Sequence, residues 1–192
     1  MTKRVAVLLA HGFEEAEAVI FIDIMRRLEI QVDILACEDT VELNSYFATP
    51  IRADSTLTAC QDHLYDAVMM PGGPKGTDSL SFNPQVIAFL KRHIAEDKYI
   101  CALCSSGAKV LAAHQLLAGR TYSTGDKLAD KFSDGVYLDQ DVVVDGKFIT
   151  AKGLGVSFEF SFTVARHLLM DNPQIVDHQA SHIYFKHWPL SV

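Results

Sequence analysis

Short, unbroken apolar runs alternate along the chain with longer stretches in which apolar residues recur every three or four positions. Residues 5–10 form the first run. Residues 16–28 follow, with Val19, Ile20, Ile22, Ile24, Met25 and Leu28 on a helical stripe. Residues 32–36 make a second run, and the Thr-, Pro- and Asp-containing stretch 39–55 behind it suits an antiparallel excursion. A third run, 67–70, stops at Pro71-Gly72-Gly73. Asn83 and Pro84 then supply an N-cap and a first-turn proline for a helix through Glu96. Residues 99–103 are the fourth run. The spacing predicts a helix over 105–118 closed by Gly119, a strand at 120–124 and a short helix at 126–132. Residues 141–144 and 147–150 flank Asp145-Gly146, a hairpin-turn dipeptide, and read as an antiparallel pair. A long helix is expected over 157–170, a last one over 173–185, and a tail through Trp188.

Solid apolar strands alternating with helices call for a parallel sheet covered on both faces. The expected fold is one doubly wound α/β domain, without internal repeats or a linker, and 192 residues at 49% hydrophobic content are ample for its core. Charge then removes partners. Acidic residues outnumber basic ones by 24 to 17, a formal net charge of −7, which argues against nucleic acid and anionic membrane surfaces. No apolar run reaches the roughly 18–20 residues that span a bilayer, and the N-terminal run is too short for a signal-peptide core. Four cysteines are too few to staple a secreted scaffold, so a cytoplasmic protein with reduced thiols is expected.

In sheets of this kind the reactive crevice lies beyond the carboxyl ends of the strands. Cys104 follows the fourth run and is itself followed by Ser105-Ser106-Gly107, the small-residue composition of a nucleophile elbow. A helix starting there favours thiolate, and its amides, with a Gly-rich turn opposite, suit an oxyanion. Packing as a small core residue is the plainer alternative for any cysteine. Cys101 and Cys104 spell Cys-x-x-Cys, but Cys101 falls inside the run, in poor geometry for a disulfide. Cys37 and Cys60 have no comparable setting. Of Glu14, Glu15 and Glu17, two are accounted for by the helix dipole, whereas Glu17, one turn in, is placed to face the crevice. Beside a thiolate its carboxyl would keep a proton and donate it to sulfur. Pro71-Gly72-Gly73 lacks a following Gly-Lys-Ser/Thr, and Gly153-x-Gly155 lacks the dinucleotide fingerprint, so neither argues for a nucleotide cofactor. His178 and His182 stand one helical turn apart without a matching acid or cysteine, and a surface or packing role suits them better than a metal.

Glu14-Glu15-Ala16-Glu17-Ala18-Val19, Met70-Pro71-Gly72-Gly73, Ala102-Leu103-Cys104 and Gly153-x-Gly155-x-Ser157-Phe158-Glu159-Phe160, in that order, resemble the ThiJ/PfpI superfamily. Within it the chain most resembles the branch of the Parkinson-associated deglycase (DJ-one) and its bacterial relatives. The resemblance covers essentially the whole chain. It implies a single flavodoxin-like domain over residues 1–192, of the class I glutamine amidotransferase-like type, usually assembled as a homodimer. It also implies a reactive cysteine at Cys104, an acid hydrogen-bonded to that sulfur at Glu17, and an oxyanion hole from the backbone amides of Gly73 and Ser105. Three departures stand out. Gly125 occupies the place where many members carry a histidine, and Ser105 the place where the protease branch does. The pocket arginine of relatives is not evident around Tyr46 and Phe47. His11 and Asp126 are the two residues left to approach the site, although no spacing in the sequence brings either to it.

Two functions share these residues. As an enzyme, the Cys104 thiolate adds to a small carbonyl such as methylglyoxal, Glu17 moves the proton, and neither metal nor organic cofactor is needed. As a redox-responsive or chaperone-like protein, Cys104 is oxidised to sulfinate without turnover. Amide or peptide hydrolysis is the weaker reading without a Cys–His dyad, and an inactive pocket is the blandest.

Overall fold

The computed structural model describes residues 2–125, 127–186 and Trp188. A first strand, β1 (Arg4–Leu9), leads through α1 (Glu15–Arg27) to β2 (Gln31–Ala36). A small antiparallel hairpin, β3 (Glu42–Asn44) and β4 (Pro50–Arg52), fills the expected excursion before the short edge strand β5 (Ser55–Thr56). β6 (Ala67–Met70) is followed by α2 (Pro74–Phe82), α3 (Pro84–Ala95) and β7 (Tyr99–Leu103). β8 (Thr121–Tyr122) and β9 (Val136–Tyr137) form a minor parallel ladder. The hairpin β10 (Val142–Asp145) and β11 (Phe148–Ala151) precedes α4 (Ser157–Leu168) and α5 (Gln174–His182).

The main sheet runs β10-β11-β7-β6-β1-β2-β5, parallel throughout except for β10 at one edge. Strand side chains alternate between its faces. Val5, Val7 and Leu9 join α1, α4 and α5 in one core layer, while Ala6, Leu8 and Ala10 join α3 and the segment after β7 in the other. The doubly wound α/β fold expected from the alternation is the one observed. Its order reverses beside β1, which brings the carboxyl ends of β1, β6, β7 and β11 to one rim.

Local differences from the expected elements have identifiable causes. The Asn83 side chain accepts from the Gln85 amide at 2.9 Å, so α3 begins where the cap placed it. α2 was not expected, because its only buried apolar side chain is Leu80 and it carries no stripe to read. The helix expected over 105–118 is instead a π-helical turn, Gly107–Leu111, running into a 3-10 turn, Ala112–His114. An α-helical ladder would take the Ala108 amide to the Cys104 carbonyl; here that amide donates to Thr124 Oγ1, which itself donates to the Cys104 carbonyl. Residues 120–124 contribute only the two-residue β8, outside the main sheet, and the described residues 127–132 only a 3-10 turn at Ala129–Lys131. α4 and α5 both end before the expected residues 170 and 185.

Candidate functional site

Cys104 is the first residue beyond β7. Its amide donates to the Ala151 carbonyl at 2.9 Å, extending the ladder with β11 by one bond. Its φ of 58° puts a non-glycine residue in the left-handed region. Two bonds hold it there: the Cys104 carbonyl accepts from Thr124 Oγ1 at 2.7 Å and from the Gly125 amide at 3.2 Å. Gly107 makes the next turn possible, since a methyl group on it would lie 2.7 Å from the Ser123 carbonyl oxygen. The strand–turn–helix elbow therefore exists, although the helix after it is not α-helical.

Glu17 reaches this point from α1 and is only 1% exposed. Its Oε2 accepts from the Gly72 amide at 2.6 Å, and its carboxyl takes a hydrogen bond from the Cys104 thiol. Gly72 is wedged between the two. A methyl group on it would sit 2.6 Å from Cys104 Cβ and 2.9 Å from both Sγ and Glu17 Oε2, closer than packed atoms approach. Gly73, with φ 101°, comes so near the loop after β1 that a methyl group would meet the Gly12 carbonyl oxygen at 2.3 Å. Ser106 Oγ ties this turn to the elbow by donating to the Pro71 carbonyl at 2.5 Å. All four residues expected at the site, Cys104, Glu17, Gly73 and Ser105, thus lie in this one corner of the rim.

The electrostatics differ from the sequence expectation in two respects. The Glu17 carboxyl is pushed up to about 7, the expected direction, but by burial and not by a neighbouring thiolate. Its bond with Cys104 pulls the other way, and the proton the carboxyl was expected to give to sulfur sits on the sulfur itself. The Cys104 thiol is not lowered. Burial, and then the Glu17 charge, push it up to about 12, against the opposing pull of the Ser105 amide and hydroxyl. The helix-start effect is outweighed because the sulfur is shielded from water and faces a carboxylate. The ammonium of Lys152, the neighbour of Gly153 in the chain, is held by Asp139 at 2.9 Å and Asp141 at 3.2 Å. Glu17 and Cys104 consequently titrate as a pair that shares one proton above neutrality.

The remaining candidates separate cleanly. Cys37, Cys60 and Cys101 are buried and free, and burial raises the thiols of Cys37 and Cys101 beyond the useful range. Glu15 does more than complement a dipole: it accepts from the Phe47 amide at 3.2 Å and Thr49 Oγ1 at 3.0 Å, anchoring the β3–β4 turn. His11 Nδ1 accepts from the Asn44 amide at 3.0 Å, which ties the ring to that hairpin. Asp126 lies outside the described residues. A methyl group on Gly125 would lie 3.7 Å from Cys104 Sγ, so the position where the resemblance led to the expectation of a histidine adjoins the sulfur and here leaves space. Arg52, on the hairpin beyond Tyr46 and Phe47, is paired with Glu42 at 2.5 Å. His178 and His182 are exposed on α5. Among the described residues, no three His, Cys, Asp or Glu side chains gather as a metal site, and no helix is long and apolar enough to cross a membrane. The parts that Gly72, Thr77 and Thr124 play here are not readable from the sequence. The glycine was visible only as part of a turn, and neither threonine stands in a motif.

The chain is 36% identical over 171 residues to a Danio rerio Parkinson disease protein 7 homolog, covering 87% of this chain and 90% of that one. It is 31% identical over 158 residues to a glutathione-independent glyoxalase of Caenorhabditis elegans, covering 81% and 82%. A DJ-1 homolog B of Arabidopsis thaliana is 30% identical over 85% of this chain, which spans only 37% of that longer protein. Among solved structures, a cysteine-to-alanine mutant of a DJ-1 superfamily protein from Salmonella typhimurium superposes with a TM-score of 0.93 at 49% identity, covering 95% of this chain and 98% of that one. Oxidised DJ-1 of Toxoplasma gondii gives 0.89 at 30% identity, covering 95% and 98%. Residues 3–167, from the start of the first strand into α4, match the DJ-1/PfpI family, and with the fold and these relatives in agreement the chain belongs to it.

Proposed function

We propose that this protein is a cofactor-independent, cysteine-dependent enzyme acting on small reactive carbonyls, glyoxalase- or deglycase-like, with a protective role in the cytoplasm. The observation that carries the reading is the buried Glu17–Cys104 pair, in which a carboxyl pushed up to about 7 bonds the one thiol that is not fully buried. The glutathione-independent glyoxalase among the relatives supports the substrate class.

Above neutrality Glu17 is ionised and Cys104 is a thiol, an arrangement suited to general-base attack. Sulfur bonds to the aldehyde carbon of methylglyoxal as its proton passes to Glu17. The new oxyanion lies toward the amides of Gly73 and Ser105 and takes that proton, giving a hemithioacetal. Glu17 then removes the hydrogen from the former aldehyde carbon, and a proton returns to the adjacent carbon, leaving a lactoyl thioester. Water cleaves the thioester to lactate and restores the thiol. One carbon is oxidised and its neighbour reduced, so water is the only co-reactant. Peptide hydrolysis suits the site less well, because serine and glycine occupy positions 105 and 125, where other members place a histidine.

Loss of methylglyoxal and appearance of lactate, followed with wild type, Cys104→Ala and Glu17→Gln, test the reading. Turnover by the wild type alone supports it, and equal rates for all three proteins refute it. A second reading, oxidation of Cys104 to sulfinate as a stress signal, is favoured by the oxidised form of the Toxoplasma relative. Dilute peroxide should then add two oxygens selectively, and Cys104→Ser should abolish the addition. Homodimer formation is part of the proposal. α1 and α4 pack side by side and leave Val19 and Phe158 exposed, as is Leu154 in the turn before α4, and this turn begins beside Gly153, which lies against Cys104.

A further inference from the structure

Two buried hydroxyls beside the elbow have fewer hydrogens than contacts. Thr77, in α2, is fully buried, and Ser105 is 6% exposed. Thr77 Oγ1 lies 2.8 Å from the Gly73 carbonyl oxygen, 3.3 Å from that of Pro74 and 3.1 Å from Ser105 Oγ. Carbonyl oxygens only accept, so the single Thr77 hydrogen is committed to them. The contact between the two hydroxyls must then run from Ser105 to Thr77. Ser105 also has one hydrogen, and while Thr77 holds it, Ser105 cannot donate it to Cys104 Sγ.

We propose that the Ser105 hydroxyl is a charge-responsive donor, bonded to Thr77 while Cys104 is a neutral thiol and turned to the sulfur when that atom becomes anionic. The direction follows from hydrogen-bond strengths. A hydrogen bond to a charged acceptor is shorter and stronger than one to a neutral hydroxyl, so the anion wins the hydrogen. The pull of the Ser105 hydroxyl on the thiol is in the same sense. Thr77 is then a positioning residue: by competing for Ser105 it holds the resting sulfur in its thiol form without touching it. The proposal rests on Cys104 being the reactive group of the proposed function and deepens that reading.

Iodoacetamide labelling of Cys104, followed by intact mass at fixed pH, reads the sulfur directly. Ser105→Ala should slow labelling about tenfold, the loss of one charged hydrogen bond. Thr77→Val should do the opposite, speeding labelling about fivefold by freeing Ser105. Thr77→Ser should keep the wild-type pH profile. In the Ser105→Ala background, Thr77→Val should change nothing, because its effect passes through Ser105. Thr77→Ala repeats the measurement if valine is not accommodated, with thermal melting as the check on folding. The idea is overturned if the Thr77 variants slow labelling, or act equally in both backgrounds, or if Ser105→Ala labels like wild type. Labelling does not require turnover, so a protein that shows these shifts but consumes no methylglyoxal would refute the enzymatic reading and leave the switch standing.

Discussion

Glu17 sits between the Gly72 amide and the Cys104 thiol where water barely reaches, and its carboxyl keeps a proton to higher pH than in the unfolded chain. Between the ordinary value of 4.5 and about 7, the folded chain binds a proton that the unfolded chain has lost. Stability therefore falls as pH rises through that window, and the cost is fully present above it. At 1.36 kcal/mol per unit the cost is about 3 kcal/mol. Glu17→Gln should match wild type in urea unfolding near pH 4 and exceed it by about 3 kcal/mol near pH 8; an equal gain at both would contradict the burial argument. This residue was legible mainly through the family resemblance, because an acid one turn into a helix is equally well placed to complement the helix dipole. The thiol's upward shift was not, because helix-start amides are written in the sequence while the surrounding desolvation is not. Gly72 was equally hidden: its role is to leave room for Cys104 and Glu17, and they meet only once β1, β6 and β7 are side by side.

At the scale of elements, α3 shows what a local signal can fix and what it leaves to packing. Its start was readable from Asn83 and Pro84. The docking of its last turn was not. His93 is buried there, and Nε2 accepts from the Tyr65 amide at 3.1 Å, so the ring proton is on Nδ1 and donates to the Phe89 carbonyl at 2.8 Å. A second proton would remove the acceptor of a buried amide. Burial accordingly lowers His93 below its ordinary 6.5, and likewise His167 on α4. The unfolded chain takes up these protons first, so stability from both groups is complete above pH 6.5 and is lost as pH falls below it. Glu17 acts in the reverse sense over an overlapping range and masks the loss. Glu17→Gln should therefore lose melting temperature on acidification from about pH 7 to pH 5 more steeply than wild type. Parallel slopes would contradict this. The π-helical turn after Cys104 marks the limit of periodicity: residues 105–118 have helical spacing, but the Thr124 bridge between the Cys104 carbonyl and the Ala108 amide redirects the first bond of the ladder. α2, without a stripe, offered nothing to read.

For the whole molecule, alternation of solid strands and striped helices sufficed for the doubly wound fold, since a parallel sheet leaves few other ways to bury both faces. The same topology brings four separated segments to one rim, which no local pattern reveals without the strand order. Assembly is the property least visible in a single chain. The exposed Val19 on α1, beside α4, is expected at the centre of the proposed dimer face. Val19→Arg should reduce the mass measured by light scattering from two chains to one, and a variant that remains dimeric would place the interface elsewhere. The central claim concerns the shared proton of Glu17 and Cys104, and the pH dependence of lactate formation from methylglyoxal tests it most directly. The expected wild-type rate rises with pH to a plateau with its midpoint near 7, where Glu17 ionises. Glu17→Gln should abolish that midpoint and lower the rate, with Cys104→Ala inactive throughout. A midpoint near 7 that survives in Glu17→Gln, or lactate formed by Cys104→Ala, would contradict it.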